Sequence, residues 1–398
     1  AFQNTQSVTK MRNIHVLAIP YPAQGHVIPL MEAARCFTSN GLKVTFVNTD
    51  FTHKRVMSAG SEICSSVARK MGIRLALFCP SSAAVLALSM SVQKLMDDEV
   101  INKNGVPLKD QMVQLSPTMP LMDPANFAWA CVGDSVSNQI IFDILILGAK
   151  EAAKAADHII CNSSIDLELG AFTLFPKMLP IGPLLATNRF TRQVGHFWNE
   201  DTTCLTWLDK QLPGSVIYVA FGSFTIFDQL QFEELALALE DTKKPFLWVV
   251  RPGISGSMDC KYPSGYMERI GSHGKIVSWA PQQEVLNHPS VACFMSHCGW
   301  NSTMEGVSNG VPFLCWPYFA DQFFNKTYIC DIWKTGVGLN KDETGIVTRG
   351  EIKSKVEQLL SNNVVKENAL NVQEKVMGCM LEGNSSNKNL NNFIDWVV

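Results

Sequence analysis

The chain has 398 residues, enough for two domains of ordinary size, and its 46% hydrophobic and 17% charged residues suit a globular protein rather than a disordered one. A net charge of −3 without a long run of either sign argues against a nucleic-acid surface, which needs clustered lysine and arginine. No stretch approaches the roughly 18 continuous apolar residues of a transmembrane helix, so no membrane span is expected.

The twelve cysteines are scattered singly, with no C-x-x-C pair and no zinc-like spacing. They read as reduced, mostly buried thiols, which points to a cytoplasmic protein. Ala1 to Lys10 is polar and lacks a signal-peptide core, and Met11 reads as the natural start, so the first ten residues are left out of the fold.

In chain order, Ile14 to Pro20 (IHVLAIP) reads as a short strand followed by the Pro/Gly loop Tyr21 to Gly25. Val27, Leu30, Met31, Ala34 and Phe37 recur at helical spacing, Gly41 is the expected C-cap, and Lys43 to Asn48 is a second strand. Strand–helix–strand implies a parallel sheet. Ile73 to Phe78 and His158 to Cys161 are further strands, and Gln139 to Ala156 is the clearest helix between them.

Pro/Gly punctuation from Pro180 to Pro213 marks a linker, after which the alternation restarts. Strands are expected at Val216 to Phe221, Phe246 to Val250, Ile276 to Trp279, Ala292 to Met295 and Pro312 to Cys315, with a helix at Gln229 to Asp241. Thr348-Arg349-Gly350-Glu351 is a capping box opening a helix that carries Val356, Leu359 and Leu360. The reading is α/β: two doubly wound Rossmann-like domains facing across a cleft, with ligands at the carboxyl ends of the strands. The boundaries are 11–185, a linker at 186–213, 214–380, and a closing helix at 381–398.

Chemistry concentrates between Trp279 and Gln322 (WAPQQEVLNHPSVACFMSHCGWNSTMEGVSNGVPFLCWPYFADQ). A strand ends before His297-Cys298-Gly299-Trp300-Asn301-Ser302, a glycine admits close backbone approach, and a helix starts. Its free N–H groups and dipole suit a diphosphate. His297, Asn301 and Ser302 add side-chain donors, and Glu305 shares a helix face with Asn301. A plainer reading stands beside this one: Ser302-Thr303-Met304-Glu305 is a capping box in its own right, and Trp279, Trp300 and Trp316 are core aromatics.

The whole stretch resembles the plant family-1 UDP-glycosyltransferases, matching their secondary-metabolite signature from first position to last. Trp207-Leu208-Asp209, Ser215 to Ser223 (SVIYVAFGS), Phe246 to Arg251 and Asn392 to Val397 fit the same family. The resemblance implies a GT-B fold: an N-terminal acceptor-binding domain, a C-terminal UDP-sugar-binding domain and a last helix packing back on the first. It implies that Trp279 stacks on the uracil, that Ala280 and Gln282 flank the uridine, and that Glu305 holds the ribose. Ser223, His297, Gly299, Asn301 and Ser302 would hold the diphosphate, and Trp300, Asp321 and Gln322 the sugar. A terminal Gln322 resembles a preference for UDP-glucose. The expected partners are therefore a UDP-sugar and a small-molecule acceptor, with no metal, no other cofactor and a monomeric protein.

Pro20 to His26 (PYPAQGH) resembles the family's catalytic loop. A histidine at a helix N-terminus beyond a strand faces the cleft, and the dipole there favours the neutral imidazole that a general base requires. His26 would take the proton of an acceptor hydroxyl, and UDP would leave from the opposite face with inversion. His15 reads as structural and His53 as solvated.

The family pairs this histidine with an aspartate at the end of a later strand, and here that residue is not found. Only 22 positions separate Asp50 from Gly72, fewer than the roughly 30 residues of one strand–helix–strand unit. The N-terminal domain is shortened around 58–72, where two strands and the acid are missing. Asp97, Asp98, Asp123 and Asp134 do not sit in the matching context. Two readings follow: an inverting glucosyltransferase acting on hydroxyls of phenolic, flavonoid or terpenoid acceptors, or a catalytically impaired UDP-sugar-binding protein from a truncated transcript.

Overall fold

Strand β1 (His15–Ala18) pairs in parallel with β2 (Lys43–Phe46), His15 opposite Lys43 and Ala18 opposite Phe46. A parallel pair needs a crossover, and helix α1 (Gln24–Ser39) provides it. Asn40 ends the helix and Gly41 follows at φ +84, where a side chain would be strained. On α1 the buried face is Val27, Ala33, Cys36 and Phe37, while Leu30, Met31 and Ala34 stay half-buried. The helix is sandwiched between a sheet and the cleft, so its apolar stripe is rotated from the simple periodic one.

The computed structural model describes residues 14–21, 23–47, 72–184, 199–254 and 260–398. The extension Ala1 to Lys10, Asp50, His53, the shortened stretch at 58–71 and the linker residues 185–198 lie outside the described residues.

A second parallel sheet has the order β3 (Ala76–Cys79), β4 (His158–Cys161), β5 (Met178–Pro180). The expected strand from Ile73 starts three residues later, at Ala76. The Gln139–Ala156 helix is interrupted by a π-helical stretch, Ile141–Ile146, whose wider turn presents Ile141 and Leu145 to the cleft. Glu168 is fully buried and accepts from Ala83 N, Ala84 N and Ser163 Oγ at 2.9, 2.9 and 2.6 Å. It thereby satisfies the first N–H groups of the Ala83–Met90 helix from a distant segment. That reach bends its own helix, for Glu168 sits at φ −134, ψ 44 inside Ile165–Leu174.

The second block is one six-stranded parallel sheet, β11-β10-β9-β6-β7-β8. Its strands are β6 (Val216–Ala220), β7 (Phe246–Val249), β8 (Gly274–Val277), β9 (Val291–Ser296), β10 (Phe313–Cys315) and β11 (Gly336–Gly338). Strand order reverses between β6 and β9, and that switch point opens a crevice at their carboxyl ends. β6 and β7 are continuous apolar runs buried along their whole length, as a sheet covered on both faces demands.

Within the stretch read as linker, the helix Thr203–Leu208 buries Cys204 and Leu208 in the core, so its described part is packed structure. The Thr348 box is half realised. Thr348 Oγ1 accepts from Glu351 N at 3.2 Å, but the Glu351 carboxylate turns to Asn340 N instead of back to Thr348. The last helix, Ser385–Val397, lays Leu390, Phe393 and Ile394 against Phe37, Leu42, Ile160 and Ile181 of the first block.

Candidate active site

Between the two blocks lies a cavity of about 540 Å³. All the site residues singled out in the sequence line it: His26, Ser223, Trp279, Ala280, Gln282, His297, Gly299, Trp300, Asn301, Ser302, Glu305, Asp321 and Gln322.

The loops after β6 and β9 close on the His297 ring. A Cβ on Gly222, which sits at φ +66, would lie 2.6 Å from His297 Nε2, and one on Gly299 would lie 2.5 Å from the same atom. Both positions therefore need glycine, the first also for its backbone. Burial pushes His297 down to about 4 against a smaller opposing effect of the Ala220 backbone, so its ring is neutral, and its Nδ1 has no hydrogen-bond partner among the described residues. Cys298 between them takes φ +65, a left-handed turn that a non-glycine residue holds only under surrounding constraint.

Helix Trp300–Ser308 starts from Gly299 with no side-chain cap. This corrects the capping-box reading of Ser302. Helical geometry begins two residues earlier, so Ser302 lies inside the first turn and its Oγ accepts from Gln282 Nε2 at 2.8 Å. Gln282 Nε2 also donates to Glu305 Oε2, and Tyr218 OH donates to Gln282 Oε1 at 3.0 Å. Burial raises Glu305 to about 7. An uncapped helix start with polar side chains around it binds anions through its free N–H groups.

Three contacts tie this helix and its surroundings to the first block. Pro29 lies inside α1 and has no N–H, so the Gly25 carbonyl four residues earlier lacks its helical donor. Asn301 Nδ2 supplies it, donating to Gly25 O at 2.8 Å. Trp300 is buried, and its indole N–H donates to Asn162 O at 2.9 Å. Trp333 Nε1 donates to Leu167 O at 3.0 Å. Trp300 is thus a core aromatic and a cavity wall at once, Trp316 is buried in the core, and Trp279 is half-buried with a face on the cavity.

Asp321 is raised to about 6 by burial and accepts from Asn325 Nδ2 at 2.9 Å. Gln322 Oε1 accepts from Tyr318 N and Phe319 N at 2.8 and 3.1 Å, which folds the loop around its own side chain.

His26 is the third residue of α1, its ring 4.9 Å from that of Tyr21. Its pKa falls to about 4 because the ring is buried. Among the described residues no carboxylate hydrogen-bonds this ring. Asp97 accepts from Gln93, Asp98 pairs with Lys94, Asp123 accepts from Ala125 N and Asp134 from Ser137 N, and none of the four lines the cavity. His15 bonds Thr45 Oγ1 at 2.6 Å within the β1–β2 pair.

Sequence reading missed Tyr21, Glu32, Gln283, Phe224 and Phe319 on the cavity wall. The i,i+4 relation of Ile28 and Glu32, continued to Arg35 and Cys36, was the available signal for a cleft-facing stripe on α1.

A family model described as "UDP-glucoronosyl and UDP-glucosyl transferase" matches residues 173–375. UDP-glycosyltransferase 83A1 of Arabidopsis thaliana is 38% identical, with 99% of each chain covered. That alignment spans 470 positions against 398 residues here, so the relative carries at least 72 residues without a counterpart in this chain. Linamarin synthase 1 of Manihot esculenta is 30% identical, with 98% of each chain covered. A solved structure, Phytolacca americana UGT2 complexed with UDP-2fluoro-glucose and pterostilbene, superposes with a TM-score of 0.79 at 26% identity, covering 97% of this chain and 100% of the other. With this fold, this cavity and these relatives, the chain belongs to the plant family-1 UDP-glycosyltransferases of GT-B fold.

Proposed function

We propose that this chain transfers glucose from UDP-glucose to a hydroxyl of a small lipophilic acceptor, a phenolic, flavonoid or terpenoid, with inversion at the anomeric carbon. The observation that carries this reading is the convergence of a neutral, half-buried His26 and an uncapped helix start at Gly299 in one cavity. His26 accepts the acceptor's hydroxyl proton while the oxygen bonds to the anomeric carbon. The bond from that carbon to the diphosphate breaks, and UDP departs against the helix N-terminus.

In this reading Trp279 stacks on uracil beside Ala280 and Gln282, and Glu305 holds the ribose. Ser223, His297, Gly299, Asn301 and Ser302 hold the diphosphate, and Trp300, Asp321 and Gln322 the glucose. The orphaned His297 Nδ1 and Asn301 Oδ1 suit a polar ligand at that end, and no metal is required. Pro80, Val132, Ile141, Leu145 and Phe224 give the other end an apolar lining for the acceptor. We place the protein in the cytosol as a monomer. Free thiols at every described cysteine agree with a reducing compartment, and among the described residues no helix is long and apolar enough to cross a membrane.

The test is product detection by mass spectrometry from UDP-glucose over a phenolic panel. His26→Ala should lower the transfer rate by about 10²- to 10⁴-fold, the usual contribution of a general base. It should leave calorimetric UDP binding in place. Equal rates in wild type and variant would overturn the role of His26, and no binding at millimolar UDP would overturn the donor site.

A further inference from the structure

Glu32 is a cavity residue that the reaction above does not use. It projects from α1 of the first block, and its Oε1 accepts from Gln283 Nε2 of the second block at 3.3 Å. Gln283 also stands beside Glu305, where it favours the ionised carboxylate, so one amide lies between the two carboxyl groups across the cleft. Its neighbour Gln282 binds the same Glu305. We propose that Glu32 is a donor-positioning residue: through Gln283 and the adjoining Gln282 it holds Glu305 in place and closes the end of the cavity that takes the ribose of a UDP-sugar. The inference rests on the reading of Glu305 as the ribose-holding residue.

The charge balance of the bridge decides when it forms. Glu32 is pushed up to about 8, first by burial and then by the nearby Glu305, against smaller opposing effects of the Gln283 hydrogen bond and of Arg35 one turn along α1. The other ionisable groups lining this part of the cavity are His26 on α1, Glu284 on the Gln282–Leu286 helix, Glu200, and Tyr218 of β6. His26 is neutral at pH 7, and Glu200 adds a further unfavourable charge at Glu305. Glu305, raised to about 7, ionises before Glu32 as pH rises. Around neutrality the bridge then holds one carboxylate, one carboxylic acid and one amide. Above about 8 a second negative charge appears in the same buried space, and the arrangement loses its balance. A carboxyl group with a raised pKa favours the bridge below that value and loses it as pH climbs through it.

The experiment is calorimetric titration of the full chain with UDP-glucose at pH 7 and pH 9, wild type beside Glu32→Gln, so that ionisation of the ligand itself cancels. With a titration near 8 the binding-competent fraction falls from about 0.9 to about 0.1, so the wild-type Kd should weaken about tenfold. Glu32→Gln keeps an acceptor for Gln283 but cannot ionise, and its ratio between the two pH values should be close to one. Glu32→Ala should bind about three- to tenfold more weakly at pH 7, the worth of one hydrogen bond. An equal pH ratio in wild type and Glu32→Gln would overturn the proposal, because a purely structural role does not titrate. Should Glu32→Gln fail to fold, a wild-type Kd that is the same at both pH values overturns it alone. Absence of any UDP-glucose binding in wild type sinks the donor reading itself, a distinct result.

Discussion

The two blocks that wall the cavity are built from the same parallel strand–helix units but differ in closure. In the second, six strands pair without interruption and the central ones are buried end to end. In the first, the described strands form two separate sheets, and β1 and β3 each have one edge with no strand partner among the described residues. The consequence is visible in the side chains: Leu17 in β1 is 59% exposed and Ile73 before β3 is 56% exposed, in a fold where such residues are normally covered. The residues proposed to hold the donor therefore lie mostly on the closed sheet, while His26, the proposed base, extends from the block whose described strands form two separate sheets.

The largest effect expected of this contrast is in stability. Trp248 in β7 is 0% exposed and packed against Phe232 and Tyr262. Trp248→Ala should cost about 3–5 kcal/mol in denaturant unfolding, the usual toll of emptying an aromatic site in a closed core. A cost below 1 kcal/mol would mean that the second block is no tighter than the first. Next is Gly222→Ala, which forces a Cβ toward the His297 ring from a left-handed backbone. Strain of about 1–3 kcal/mol would weaken UDP binding about 5- to 150-fold. An unchanged Kd would show that the loop gives way freely.

In the first block, burial of His26 sets its pH behaviour. A lowered pKa means that the neutral base persists as pH falls, until about 4. Between pH 7 and pH 5 an unperturbed histidine would lose roughly 25-fold of its neutral form. Here kcat/KM should fall by less than twofold over the same range. A fall tracking a pKa near 6.5 would mean that the loop carrying His26 is open to water.

How much of this was legible beforehand depended on how local each cause is. β4 and the Gln229–Asp241 helix could be read to the residue because their patterns are short-range. The residues proposed for the donor were readable, all but Ser223 within one contiguous motif, and all of them reach one cavity. Glu32 was not, since its role comes from Gln283, 251 positions away. Nor was the π-helical stretch at Ile141–Ile146, which in sequence is only a good amphipathic helix. The neutrality of His26 has a further cause in burial, which no local pattern shows, because burial is a tertiary quantity and a helix terminus is a local one.

The smallest predicted effect tests the comparison most directly. In a closed parallel sheet, trimming a leucine from the strand beside the His26 loop would remove buried area and cost about 2–5 kcal/mol. Leu17 is mostly in solvent and contributes little to any core, so Leu17→Ala should change unfolding free energy by about 0.5 kcal/mol or less. Leu17→Lys should be tolerated as well, since a long cationic side chain on an exposed edge is also a common guard against edge-to-edge pairing. If Leu17→Ala costs 2 kcal/mol or more, this strand is covered in solution by something outside the described residues, and the two blocks are more alike than their sheets suggest. If it costs nothing and Trp248→Ala costs several kcal/mol, the asymmetry is energetic as well as geometric, and transfer should be lost on heating before UDP binding is.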